Sequence, residues 1–169
     1  MTMPTVVTSN TGYTGYRDQL DRVRRLLDRV NVASNSEWGT EFDEHEFQDD
    51  AWNLFQACWH VKDWVRHDPL VPQLTKDKIK KEAEANSLLL MCHDICNGTK
   101  HLKLTTPRGG GARYESTESV RESGFVVDVD CLIDDGTGAL VSGKGLAREC
   151  FAEWERILQS HRLETARRS

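Results

Sequence analysis

No stretch of the sequence approaches the roughly 20 consecutive apolar residues that a bilayer-spanning helix needs, so no membrane insertion is expected. The opening residues show no basic segment followed by an apolar run, and secretion is not expected either. Positive charge is not in excess: 22 Lys and Arg stand against 27 Asp and Glu, for a formal net charge of −5. That balance argues against a nucleic-acid coat protein, which needs a basic face, but it allows a local basic pocket. No internal repeat is visible. The five cysteines, Cys58, Cys92, Cys96, Cys131 and Cys150, are odd in number and lie in apolar or helical contexts, not in a small loop-rich disulfide framework. A reducing cytoplasm is the expected compartment.

What is present is enough for one domain. A chain of 169 residues can bury one substantial core. Residues 1–15 are rich in Thr, Ser, Asn and Gly without a sustained period and are expected to form a flexible arm, with a single domain over 16–169. From Tyr16 the apolar positions Leu20, Val23, Leu27 and Val30 recur every three or four residues, the period of an amphipathic helix. An acidic run opening near Thr40 and Asp43 predicts the start of a second helix, because carboxylates favour the positive end of the backbone dipole. Pro69 ends it near His67. Its core stripe is Phe47, Ala51, Leu54 or Phe55, Cys58, Val61 and Val65.

A third helix is expected to start after Thr75 and run unbroken through Ile79, Ala83, Leu88 to Met91, Ile95 and Cys96. Asn97 and Gly98 would then provide left-handed capping geometry. Strand-like alternation follows at 101–106 and 125–133, and DDGTG predicts a hairpin turn into a short strand at 139–142. Between them, 107–124 holds three consecutive glycines and mixed charge and is expected to be a flexible segment. A last helix from about Gly145 carries Leu146, Cys150, Trp154 and Ile157 or Leu158 on one stripe. The fold class is therefore mainly α: a bundle of about four helices with a small antiparallel β hairpin or sheet before the last helix.

The chemistry-bearing residues concentrate at 92–101, CHDICNGTKH, where two thiols, two imidazoles, a carboxylate, an amide and an ammonium surround one helix end. Cys92 and Cys96 share a helix face, but structural zinc usually pairs cysteines two residues apart with a second pair elsewhere. Buried thiols acting as small hydrophobes fit better, so neither a metal nor a cofactor is expected. The second helix presents Trp52, Trp59, His60, Asp63, Trp64 and His67 beside its core stripe. There Asp63 is within reach of His60 or His67, an arrangement that suits either acid–base chemistry or a surface ion pair. The run from Gly138 to Gly143 and Lys144 has the spacing of a phosphate-binding loop. Gly145 replaces its usual Ser or Thr, which removes the magnesium ligand.

CHDICNGTKH, preceded by a helix ending HVKDWVRHDP, resembles helical proteins of the HEPN superfamily. The resemblance covers the second, third and last helices. It implies a small helical bundle, often a homodimer, that recognises RNA or nucleotides, many members being metal-independent ribonucleases of toxin, defence or RNA-processing systems. The family signature is an Arg, a polar residue and a His a few positions on. Asn97 and His101 match the latter two, whereas Cys96 occupies the Arg position. The resemblance thus implies His101 as general acid or base, Asn97 orienting the scissile phosphate, and Lys100 stabilising charge, with Asp63 and His60 in support. The alternative is a noncatalytic binding or protein-interaction module in which the same cluster ends a helix.

Overall fold

A computed structural model describes residues 15–32, 42–98, 107–122 and 125–165. Five helices and three strands follow one another in these segments: α1 (Tyr16–Val32), α2 (Glu44–His67), α3 (Gln73–Ala85), α4 (Ser87–Gly98), β1 (Arg113–Glu122), β2 (Phe125–Asp134), β3 (Leu140–Ser142) and α5 (Gly143–Ser160). The fold is mainly α, with a small antiparallel sheet of order β1-β2-β3 ahead of the last helix.

The apolar stripes set the packing. Leu20, Val23, Leu27 and Val30 of α1 meet Phe47, Ala51, Leu54, Phe55, Cys58, Val61 and Val65 of α2 in a core that includes Leu146, Cys150, Trp154, Ile157 and Leu158 of α5. Buried polar groups lock the contacts by satisfying one another. The Trp154 indole N–H donates to the Cys58 carbonyl at 2.8 Å, and the Gln19 amide donates to the Ala57 carbonyl at 2.8 Å.

Helix ends follow the local chemistry. Asp43 caps α2 by accepting from the His45 and Glu46 N–H groups at 2.9 and 3.2 Å. The helix stops at Asp68, which takes an extended conformation before Pro69. The expected single third helix is two helices. Asn86 adopts φ −89° and ψ 118°, and its side-chain oxygen accepts from the Leu89 N–H at 3.1 Å. An amide side chain thereby replaces the backbone bond that would have continued α3, and it starts α4 instead. Asn97 and Gly98 lie inside α4, where the sequence suggested a left-handed cap.

The region expected as a flexible segment contains β1, which pairs with β2 from Arg113↔Asp134 to Glu122↔Phe125. The strand lies against α4, and β2 lies against α5. β2 and β3 are joined by the anticipated turn, with the Asp134 carboxylate accepting from the Gly136 and Gly138 N–H groups at 2.8 and 3.2 Å. The flexible arm expected at 1–15 and the strand expected at 101–106 lie outside the described residues, apart from Gly15.

Candidate functional site

Asp94 organises the end of α4. Its side chain is fully buried, although it belongs to a helix whose other buried members are Leu89, Cys92, Ile95 and Cys96. A buried carboxylate is costly unless it is hydrogen-bonded, and this one receives four bonds. The N–H of Arg108 and the His93 Nδ1 donate to Oδ1 at 2.9 and 2.8 Å. The N–H groups of Gly109 and Gly111 donate to Oδ2 at 2.7 and 2.9 Å. Burial alone would raise its pKa, but the bonds from Arg108, His93, Gly111 and Gly109 outweigh burial and hold the carboxyl below its ordinary value.

The glycine triplet has a specific structural reason at each position. A Cβ on Gly109 would stand 2.3 Å from the Leu90 carbonyl oxygen, so the loop touches the α4 backbone only because no side chain intervenes. Gly110 and Gly111 take φ values of 78° and 89°, left-handed backbone in a loop whose Gly109 and Gly111 N–H groups both meet Asp94. The loop is thus an anion-binding nest filled by the protein's own carboxylate.

Asp94 also sets the state of His93. An ionised carboxylate can only accept, so Nδ1 carries the proton and Nε2 faces outward as an acceptor. The Asn97 amide Nδ2 donates to that Nε2 at 2.9 Å. The imidazole meets the Trp59 ring edge-on, with centroids 4.8 Å apart and planes at 73°. Lys62 holds its ammonium 4.6 Å from the same indole and pairs with the Asp63 carboxylate at 2.7 Å. The two clusters that the sequence presented separately, on the second helix and at 92–101, therefore meet through Trp59 and His93.

Of the expected site residues, Asn97 lies in this group, bonded to His93. Asp63 is at its margin, where its carboxylate pairs with Lys62 and its backbone carbonyl accepts from His67 Nδ1 at 2.8 Å. His60 is half-buried on α2. Lys100 and His101 lie outside the described residues. In the sequence Asp94 stood only as the carboxylate of the 92–101 cluster, its hold on the glycine loop not anticipated. A signal was present: an Asp on an otherwise apolar helix stripe, followed closely by a glycine run rich in unpaired N–H groups.

No family model, curated protein or solved structure matches this chain. Geometry alone therefore bears on the remaining candidate sites. Cys92 Sγ lies 3.2 Å from Cys150 Sγ, with Cys58 alongside. Hydrogen bonding with Cys150 and Cys58, then burial, pushes the Cys92 thiol well above its ordinary value. All five cysteines are buried thiols outside any disulfide, and among the described residues no group of three His, Cys, Asp or Glu is arranged to hold a metal ion.

The phosphate-loop spacing at 138–144 also has another use. Asp130 occupies the N-terminus of α5, where it accepts from the Lys144 N–H at 3.0 Å and from the Ser142 hydroxyl. Lys144 is buried, with its ammonium 3.2 Å from Asp128. A phosphate would have to displace a carboxylate already bound to the same donors.

Proposed function

We propose that this protein recognises RNA or a nucleotide at the end of α4, as a HEPN-like helical protein acting in the cytoplasm. One observation carries the reading: His93 is held by Asp94 as a single tautomer, with Nε2 directed at Asn97 and with Trp59 and Lys62 beside it. An oriented imidazole, an amide and an ammonium are groups that read base edges and phosphates. The resemblance adds Lys100 and His101 to this group and a homodimer as its assembly.

The same pair supports metal-independent cleavage as the activity of the site. Once Asn97 turns aside, His93 Nε2 accepts the 2′-hydroxyl proton. The 2′-oxygen then bonds to phosphorus, and the 5′-oxygen departs with a proton from a second acid, the role the resemblance gives His101. Asp94 stabilises the imidazolium that forms.

A second reading, the noncatalytic module, is favoured by a different observation. Asp94 is engaged by four donors, three of them backbone N–H groups, and His93 Nε2 is already occupied by Asn97. One experiment separates the two. Labelled single-stranded RNA is incubated with protein in chelator, following both anisotropy and chain length, beside His93→Ala and Asn97→Ala. Binding with cleavage, both lost in His93→Ala, supports the nuclease. Binding without cleavage supports recognition alone. Absence of binding by folded wild-type protein refutes both RNA readings and leaves a protein-interaction module.

A further inference from the structure

We propose that the corner between α2 and α3 is a docking surface for an anionic phospholipid bilayer, independent of the site at the end of α4. Leu70 and Leu74 are 79% and 68% exposed, while Val71 between them is buried and anchors the corner. Neither leucine contributes to the core. On α3, Ile79 and Ala83 face inward, and the helical period puts Leu74, Lys78 and Lys81 on the opposite, outward stripe. Among the described residues Lys78 and Lys81 are exposed and enter no ion pair, in contrast to Lys80, which lies 3.9 Å from Glu84. The acidic group on that stripe, Asp77, is bonded to the Gln73 amide at 2.9 Å.

Protruding apolar side chains beside unpaired ammonium groups fit a lipid surface. The leucines enter the boundary between headgroups and acyl chains, and the lysines stay with the anionic headgroups. The charge complementarity is local, because the chain as a whole is acidic. A nucleic acid would use the lysines but leave both leucines in water. A protein partner would have to bring both an apolar groove for the leucines and acidic groups for the lysines to meet the same surface. Contact of this kind is peripheral. No helix among the described residues is long and apolar enough to cross a membrane.

The test is co-sedimentation of the full chain with phosphatidylcholine vesicles that either contain or lack phosphatidylserine, at low and raised salt. Wild-type protein is expected to bind only the phosphatidylserine vesicles and to release as salt rises. Each lysine is worth about fivefold in partitioning near such a surface, and a reversal to Glu counts twice, so Lys78→Glu with Lys81→Glu should abolish binding. Leu70→Ser with Leu74→Ser should weaken it by about tenfold or more. Among the described residues neither variant removes a side-chain hydrogen bond or ion pair, and unchanged circular dichroism and melting would verify that. Three results would overturn the proposal: no binding by the wild type, equal binding to both vesicle types, or binding retained in either variant. RNA binding that depends on the lysines and ignores the leucines, without vesicle binding, would also overturn it and mark the corner as a phosphate-tracking face.

Discussion

Replacing Asp94 separates the roles the structure gives it. In Asp94→Ala, the N–H groups of Arg108, Gly109 and Gly111 and the His93 Nδ1 all lose their acceptor. Removing one side of a buried charged network costs about 3–5 kcal/mol, about a fifth or more of the stability of a typical domain. For a chain of this length that corresponds to a fall in melting temperature of about 6–20 °C. Asp94→Asn should cost less. Its oxygen can still accept from Gly109 and Gly111, and His93 can change tautomer if the Asn97 amide flips, which leaves mainly the Arg108 N–H unmatched. One such orphan costs about 1–3 kcal/mol.

The pH dependence has a definite sign. A carboxyl whose folded pKa is depressed adds stability that is fully present above its unfolded value, near about 4. That stability is lost as pH falls through the lower folded value, so the gap between wild type and Asp94→Asn should narrow on acidification. Urea unfolding of the three proteins at several pH values measures both effects. A cost below about 0.5 kcal/mol for Asp94→Ala, within the range of ordinary surface substitutions, or a gap that ignores pH, would refute the role of Asp94 in holding the glycine loop.

Gly109→Ala should destabilise by about 2–3 kcal/mol, because its Cβ meets the α4 backbone and not a movable side chain. Hydrogen exchange at Gly111 should speed up in the same variant, reporting release of the loop. In native protein the cysteines should resist alkylation until denaturant is added: all are buried, and burial together with nearby Asp130 pushes the Cys131 thiol up to about 12. Trp154→Phe should cost about 1–3 kcal/mol in chemical denaturation, through the hydrogen bond to the Cys58 carbonyl it removes and the space it vacates. Calorimetric titration with ATP should show no binding at Lys144, and binding that Lys144→Met removes would contradict the assignment of Asp130 to that helix end.

The helices were legible because burial and helical period coincide. Each stripe residue read from α1, α2 and α5 is in the core, and Asp43 and Pro69 bracket α2 as their chemistry dictates. The break at Asn86 was not legible, since an Asn inside a helical pattern becomes a cap only when its side chain turns back on the chain, here while also bonding to Glu153. β1 was hidden for another reason. Its sequence, RYESTESVRE, has few apolar residues and is mostly exposed, so pairing with β2 and not a buried face defines it. At the site, local spacing linked Asp63 to His60 or His67, whereas tertiary packing joins His93 to Trp59 and Asp94 to a loop more than a dozen residues on. Contacts of that kind have no signature in periodicity.

The central claim, recognition of RNA or a nucleotide at the end of α4, is tested most directly by nuclear magnetic resonance of isotope-labelled protein titrated with a short single-stranded RNA. The Asn97 side-chain amide and the His93 ring nitrogens should shift first and saturate together, with the Trp59 indole following. Saturating shifts elsewhere with those signals unmoved, or no shifts in a folded protein, would contradict it.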